Sequence, residues 1–367
     1  MTPNKEDYLK CIYEIGTEEG KTLYIGNIPN QQLGWERKGE WNVGIDFTII
    51  KNRINGSLNY YNSVTRDLLV TSRIPIMNGF DNVLENIGKV RNQGVELSLN
   101  SVNFENKDFR WTTDYTFWLN RNKILELDGS DSDKDGVPDD DISNLRFIGE
   151  PLGVIYDYVL EGIVQEEDVE YQKQYNRVPG DFKTKDISGP DGVPDGKIDS
   201  YDKKIIGYTD PSFTMTMGNT FRYKDFELYF SLYWMCGGKN GFMKANPRAT
   251  VPTYAPLSKW LDLEYWTPEN RNNEIPRANM TREAAASQYG CYQSRDFLRL
   301  QDVTLSYYLP QSLLSKVKMN NLKLFVTGTN LLTFTGWRGL DPETGGEIGN
   351  YHNPTFKTVS FGLNVSF

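Results

Sequence analysis

The chain has 367 residues, 24% of them charged, 38% hydrophobic and 13% aromatic, with Tyr (22) and Phe (18) heavily used. No run of about 18 apolar residues occurs, which excludes a helical membrane span, and a net charge of -9 excludes the basic footprint of a nucleic-acid binder. A single histidine, His352, and three scattered cysteines, Cys11, Cys236 and Cys291, exclude His-based triads, multi-His metal sites, a disulfide framework and a zinc site.

The first segment, MTPNKEDYLKCIYEIG, has no basic stretch followed by an apolar run and a small-residue cleavage site, so no signal peptide is expected. Tyr8, Ile12 and Tyr13, with Leu9 beside them, predict a short amphipathic helix. The segment resembles the opening helix of iron- or manganese-dependent repressors of the winged-helix type. The rest of such a repressor has no counterpart in the chain, and the acidic charge opposes DNA binding. Residues 1–27 are therefore expected to be an unrelated or helical leader, and 28–367 the domain proper.

From Trp41 onward the dominant pattern is alternation. Trp41, Val43, Ile45, Phe47 and Ile49 are apolar, with Asn42, Gly44, Asp46 and Thr48 between them. The pattern recurs at Val95, Leu97 and Leu99, and at Phe109, Trp111, Tyr115, Phe117 and Leu119. It returns at Phe226, Leu228, Phe230, Leu232 and Trp234, and at Val359, Phe361, Leu363, Val365 and Phe367. Side chains alternate faces along a strand, so each segment has one apolar and one polar face. Nine strands are predicted, at 41–50, 53–62, 91–101, 109–120, 211–222, 225–236, 296–308, 321–330 and 357–367. Each is about 10 residues, the length a tilted strand needs to cross a bilayer; soluble sheets average about 5–6.

Connection lengths alternate as well. Those after 50, 101, 222 and 308 are predicted to be short, with tight turns at Lys51-Asn52 and Tyr223-Lys224. Those after 62, 120, 236 and 330 are predicted to be long and polar. This is the rhythm of an outer-membrane barrel with periplasmic turns and extracellular loops, and long structureless loops are uncommon in compact soluble domains. Strand 41–50 then runs from outside toward the periplasm, and strand 357–367 runs the same way. For that parity, 121–210 must hold an even number of strands, with Leu152–Gly162 a candidate for one of a pair.

Several segments in order carry a family resemblance. They are NQQLGWERKGEWNVGIDFTIIKNRINGSLNYYNSVTRDLL (30–69), NIGKVRNQGVELSLN (86–100) and GDFKTKDISGPDGVPDGKIDSYDKKIIGYTDPSFTMTMGNTFRYKDFELYFSL (180–232). RDFLRLQDVTLSYYLPQSLL (295–314), LKLFVTGTNLLTFT (322–335) and GLDPETGG (339–346) complete them. Together they resemble the C-terminal barrel of the SusC/RagA-type TonB-linked outer-membrane transporters. The resemblance implies an all-β, antiparallel transmembrane barrel segment of about 9–11 long strands, part of a barrel of about 22. It implies import of oligosaccharides or peptides with a SusD-like surface lipoprotein, powered by TonB–ExbB–ExbD. Plug, TonB-contact segment and signal have no counterpart, so a truncated or rearranged product unable to transport alone is expected; open strand edges are not tolerated in lipid.

Two acidic loops have cation-binding spacing. In DSDKDGVPDDD, Asp131, Asp133, Asp135 and Asp139 fall at positions 1, 3, 5 and 9, with Gly136 at 6. Position 12 is Ile142, so a closing carboxylate would have to come from Asp140 or Asp141. In DGVPDGKIDSYD, Asp191, Asp195, Asp199 and Asp202 fall at 1, 5, 9 and 12, with Gly196 at 6 and Val193 at 3. Each is a candidate Ca²⁺ loop or a solvated acidic surface loop. Phe367, a terminal aromatic after strict alternation, looks like the signal read by the barrel-assembly machinery and can also be a lipid-facing girdle residue.

Trp41, Trp111 and Trp234 are expected in interfacial girdles. Trp260, Tyr265 and Trp266, in the connection 237–295, either pack as a mini-core that pins it, the favoured reading, or stack on sugars or a lid. Arg110, Asp114, Glu96 and Glu227 are expected to line the lumen. No nucleophile–base pair, phosphate loop or paired-carboxylate spacing emerges, so no enzymatic activity is expected. The competing reading is a soluble β-rich carbohydrate-binding module with structural Ca²⁺, whose apolar faces would pack in a dry core.

Overall fold

The computed structural model describes residues 12–17, 20–25, 30, 32–73, 82–132, 134–241, 264–277, 292–315, 319–339, 341–345 and 355–366, without the side chains of 12–25, 71–73 and 82. Tyr8, Leu9, Cys11, Asp133, Trp260, Cys291, His352 and Phe367 lie outside them.

β1 (Ile12–Thr17) and β2 (Gly20–Ile25) pair antiparallel, Ile12 opposite Ile25 and Thr17 opposite Gly20. From Ile12 on, this corrects the helix predicted at the start of the chain. In so short a window Ile12, Tyr13 and Ile15 fit a strand as readily as a helix.

The main sheet begins with β3 (Arg37–Ile49), β4 (Ile54–Arg73), β5 (Asn82–Glu105) and β6 (Phe109–Glu126). A stretch of short elements follows: β7 (Val154–Tyr158), β8 (Leu160–Ile163), helix α1 (Val169–Tyr175), β9 (Phe182–Thr184) and β10 (Lys203–Tyr208). The sheet resumes with β11 (Pro211–Tyr223) and β12 (Phe226–Gly237). After β13 (Lys239–Gly241) and β14 (Tyr292–Ser294) come β15 (Phe297–Tyr308), β16 (Asn321–Thr335) and β17 (Thr358–Ser366). The order is β17-β16-β15-β12-β11-β6-β5-β4-β3, a nine-stranded meander that takes in all nine predicted strands.

Two features differ from expectation. β4 and β5, of 20 and 24 residues, run far past the predicted 53–62 and 91–101, so only 74–81 separates them where a long connection was predicted. At about 3.3 Å per residue, β5 extends roughly 80 Å, more than the hydrocarbon core requires. Leu152–Gly162 supplies no strand to the main sheet: β7 pairs with β10 and β8 with β9 in separate two-stranded sheets. The connection after β15 carries a helical turn, Gln311–Leu314. The tight turn after β3 is made by Ile50, Lys51 and Asn52, all at positive φ.

The chain forms two compact units. The first comprises Met1–Gly44, Asn59–Val95 and Asn120–Leu152. Its core is Val90, Ile124 and Leu127, with Leu68 and Ile148 against them. Asn86 ties its segments together, accepting from Gly34 N (2.7 Å) and donating to Asp67 O (2.7 Å). The second comprises Ile45–Leu58, Glu96–Leu119 and Gly153–Phe367. Its buried apolar side chains include Ile163, Val164, Phe182, Trp266 and Phe297.

Candidate lipid-facing sheet surface and loop anchors

Residues directly opposite in an antiparallel register share a face. In β6, Phe109, Trp111, Tyr115 and Phe117 stand opposite Tyr223, Phe221, Met217 and Met215 of β11. Those β11 residues stand opposite Phe226, Leu228, Leu232 and Trp234 of β12. The row continues through Tyr307, Leu305, Leu300 and Leu298 of β15 to Leu324, Val326, Leu332 and Phe334 of β16. Leu363 and Phe361 of β17 face Leu324 and Val326. One apolar surface thus spans six strands. It is bare: Phe361 is 83% exposed, Phe334 63% and Leu305 49%. A patch of this extent does not stay wet on a soluble monomer, and the dry core required by the soluble module is not what these side chains form.

The other face is polar. Arg110, Thr112 and Asp114 lie opposite Arg222, Thr220 and Gly218, and Glu227 and Ser231 opposite Ser306 and Asp302. Asn100 donates to Asp114, which puts Glu96, an even number of residues away along β5, on the same face. At the turn end, Glu227 accepts from Tyr308 Oη (3.2 Å) and Lys323 Nζ (3.4 Å), and the Arg222 guanidinium stands 5.2 Å from the Tyr308 ring. The four residues expected on the lumen side therefore share the polar face. Trp111 and Trp234 are on the apolar face; Trp41 is 52% exposed.

The acidic loops are wrapped by their own backbone. Asp131 accepts from Asp135 N (3.1 Å) and Gly136 N (3.0 Å), Asp135 from Val137 N (2.7 Å), and Asp139 from Ser132 N (2.7 Å). The Ser132 hydrogen bonds hold the Asp139 carboxyl below its ordinary value. In the second loop Asp202 is fully buried and accepts from Ile187 N (2.7 Å), Ser188 N (3.2 Å) and Asp199 N (2.8 Å). Asp199 caps Ser200–Asp202 through Tyr201 N (2.9 Å), and Asp195 accepts from Lys197 N (3.0 Å). Asp191 is exposed. Gly196 N bonds Asp186 Oδ2 (2.7 Å), a carboxylate outside the predicted set. Among the described residues no group of three or more Asp, Glu, His or Cys side chains is arranged as a metal's ligand set.

The connection 264–277 is pinned, as the mini-core reading expects for Trp266. That indole is 6% exposed and donates to Gln165 Oε1 (3.0 Å). Arg277 Nε donates to Asp181 Oδ1 (2.8 Å), a carboxylate 2% exposed, and Arg277 N to Gly180 O (2.9 Å). Gly180 has φ +91, and a Cβ there would stand 2.6 Å from the Trp266 ring, so the seat needs glycine. In α1, burial pushes the Tyr171 hydroxyl up to about 12 while that hydroxyl donates to Thr184 O (2.8 Å).

Sequence reasoning missed a second anchor. Arg299 of β15 and Asp341 are each 3% exposed and joined Nη2–Oδ1 at 3.0 Å; Arg299 also pairs with Glu343. Asp341 further accepts from Glu343 N (2.9 Å), Thr355 N (2.8 Å) and the Thr355 hydroxyl. Burial alone would raise the Asp341 carboxyl, but the bonds from Thr355 and Glu343 and the Arg299 charge hold it below its ordinary value. The only hint in the sequence was that RDFLRLQD and GLDPETGG, segments quoted for the family resemblance, contain these residues.

Residues 13–331 match the protein family described as TonB dependent receptor-like, beta-barrel. TonB-dependent receptor P3 of Formosa agariphila is 30% identical over 379 residues, covering 96% of this chain and 36% of that protein. TonB-dependent receptor SusC of Bacteroides thetaiotaomicron is 30% identical over 371 residues, covering 95% of this chain and 34% of that protein. The chain thus spans about a third of the length of the curated relatives it matches. The solved RagAB peptide importer in its 'open-open' state superposes with a TM-score of 0.73 at 24% identity, over 97% of this chain and 37% of that one, a likeness of fold.

Proposed function

The chain belongs to the TonB-dependent receptor-like β-barrel family of outer-membrane transporters, not enzymes, and from that premise we propose that its main sheet is a length of wall in an importer. The apolar face meets lipid, and the polar face lines the passage for substrate. The observation that carries this reading is the apolar surface continuous across six strands and exposed, backed by a polar face in register. Strand pairing satisfies the backbone where no water reaches it.

The finer assignment has three supports. Kinship to SusC and fold likeness to the RagAB peptide transporter favour oligosaccharides or peptides as cargo and a SusD-like lipoprotein as partner. Family membership favours energy from TonB–ExbB–ExbD. Strict alternation running up to Phe367 favours insertion by the barrel-assembly machinery, although Phe367 itself lies outside the described residues. Residues 1–27 are read as distinct from the wall, since the main sheet begins at Arg37.

Fractionation tests the wall, and uptake tests the cargo. The chain is expected in the outer-membrane fraction, resistant to carbonate extraction; a monomer stable in detergent-free buffer would overturn the wall. Because this length of wall is not expected to transport alone, uptake is read on the whole importer that contains it: in the native host, deleting that importer's gene is expected to lower uptake of either labelled oligosaccharides or labelled peptides as much as loss of TonB does. Unchanged uptake of both would overturn the importer assignment.

A further inference from the structure

A guanidinium and a carboxylate on a water-lined wall become 3% exposed only when chain covers them. Here the cover is Asp341–Gly345 together with Thr355. Asp341 joins the two ends of this connection, bonding Glu343 N at its start and Thr355 N at its end. Arg295 fastens the start again through Pro342 O (3.0 Å) and Glu343 O (2.9 Å), and Asn240 Nδ2 donates to Gly345 O (3.0 Å). Gly345 has φ +65, and a Cβ there would stand 3.0 Å from Asn240 Nδ2 and 3.1 Å from Arg295 Nη1, so the closure needs glycine.

We infer that Arg299 and Asp341 are positioning residues that knot Asp341–Gly345 and Thr355 to the polar face of β15, making these two stretches a fixed border of the passage. The inference rests on the polar face being the passage wall. Arg299 is in the sheet, so whatever the rest of the connection contacts, its two ends cannot lift without uncovering a buried charge. Removing one partner of such a pair leaves the other buried and unpaired, and this is among the costlier single changes a protein can undergo.

The test uses the full chain in outer-membrane vesicles, with Arg299→Met, Asp341→Asn, the double variant and Thr355→Val. Proteolysis is followed by mass spectrometry at 341–345 and 355–358, with the 186–202 loop as internal reference and heat-modifiable gel mobility as the measure of the sheet. Each ion-pair variant is expected to speed cleavage at these two stretches by at least about tenfold. The double variant should match the faster single within about twofold, Thr355→Val should be intermediate, and reference and mobility should be unchanged. Cleavage within about twofold of the parent in both single variants would overturn the proposal, as would multiplying effects in the double variant. If the ion-pair variants lose the sheet, Thr355→Val decides, since it keeps the pair: an unchanged loop overturns the proposal. Loop protection is read without transport, so failure of the importer assignment would leave this result standing and be distinguishable from it.

Discussion

Trp111 donates its indole N–H to Asn219 Oδ1 at 3.0 Å, across the β6–β11 pair and on the apolar face of the sheet. The Thr113 hydroxyl donates to the same oxygen at 2.8 Å. Asn219 is 5% exposed, a polar residue sealed into the surface that meets lipid. In hydrocarbon these donors have no water to fall back on. Asn219→Leu is therefore expected to cost about 1–2 kcal/mol by stranding both donors. Adding Trp111→Phe and Thr113→Val should return most of that loss. Urea unfolding in lipid vesicles measures both; an Asn219→Leu variant as stable as the parent would contradict the pairing.

The two faces should differ in their tolerance of charge. Ser360 and Phe361 are adjacent on β17, both exposed, and face opposite ways. Phe361→Arg is expected to cost about 2–4 kcal/mol if it lies near the midplane, and Ser360→Arg less than about 1 kcal/mol. The same vesicle unfolding assay reads the difference, and equal costs would mean that β17 has no lipid side.

Asp341 gives the loop anchor a pH dependence. Its carboxyl is held below the ordinary 3.8, so the stability it contributes is complete above the unfolded value and is lost as pH falls through the lower folded one. Protection of 341–345 and 355–358 from pepsin, normalised to unfolded peptides of the same sequence, should persist down to about pH 4 and fall below it. In Asp341→Asn that acid step should disappear. A step of the same size in the variant would assign the transition to another group.

Asp202 should matter more to its loop than the other predicted ligands. It is fully buried under three backbone N–H groups, whereas Asp191 is exposed. Asp202→Ala is expected to cost about 3 kcal/mol locally, seen as faster hydrogen exchange at Ile187, Ser188 and Asp199. Asp191→Ala should change little. Exchange measured with and without millimolar calcium tests the cation-loop reading: calcium-dependent protection would assign the loop to the metal, and unchanged exchange would assign it to a surface loop held by Asp202.

All nine strands of the main sheet were legible because each crosses a region with lipid on one side and water on the other, which writes a period of two into the residues. Where polar residues fall on both faces the period vanishes. Asn62, Ser63, Thr65, Arg66 and Asp67 are polar on either face, so the outer part of β4 read as loop. β7 to β10 are too short for alternation to count. The anchors were hidden for another reason: Arg299 and Asp341, or Trp266 and Gln165, meet only through the fold, and no local spacing announces such a pair. The carboxylates of the acidic loops were visible as a spacing, but which would be buried under N–H groups depended on how each loop closed.

Spin labels placed one at a time from Leu322 to Thr327 of β16, with the chain in lipid vesicles, test the lipid wall most directly. Residues 322, 324 and 326 are on the apolar face; 323, 325 and 327 are on the polar one. The expected result is two-residue alternation: oxygen, which partitions into lipid, relaxes the labels at Leu322, Leu324 and Val326, and a water-soluble nickel complex relaxes those at Lys323, Phe325 and Thr327. Labels at Leu322, Leu324 and Val326 that respond to neither reagent, as in a dry protein core, would contradict it.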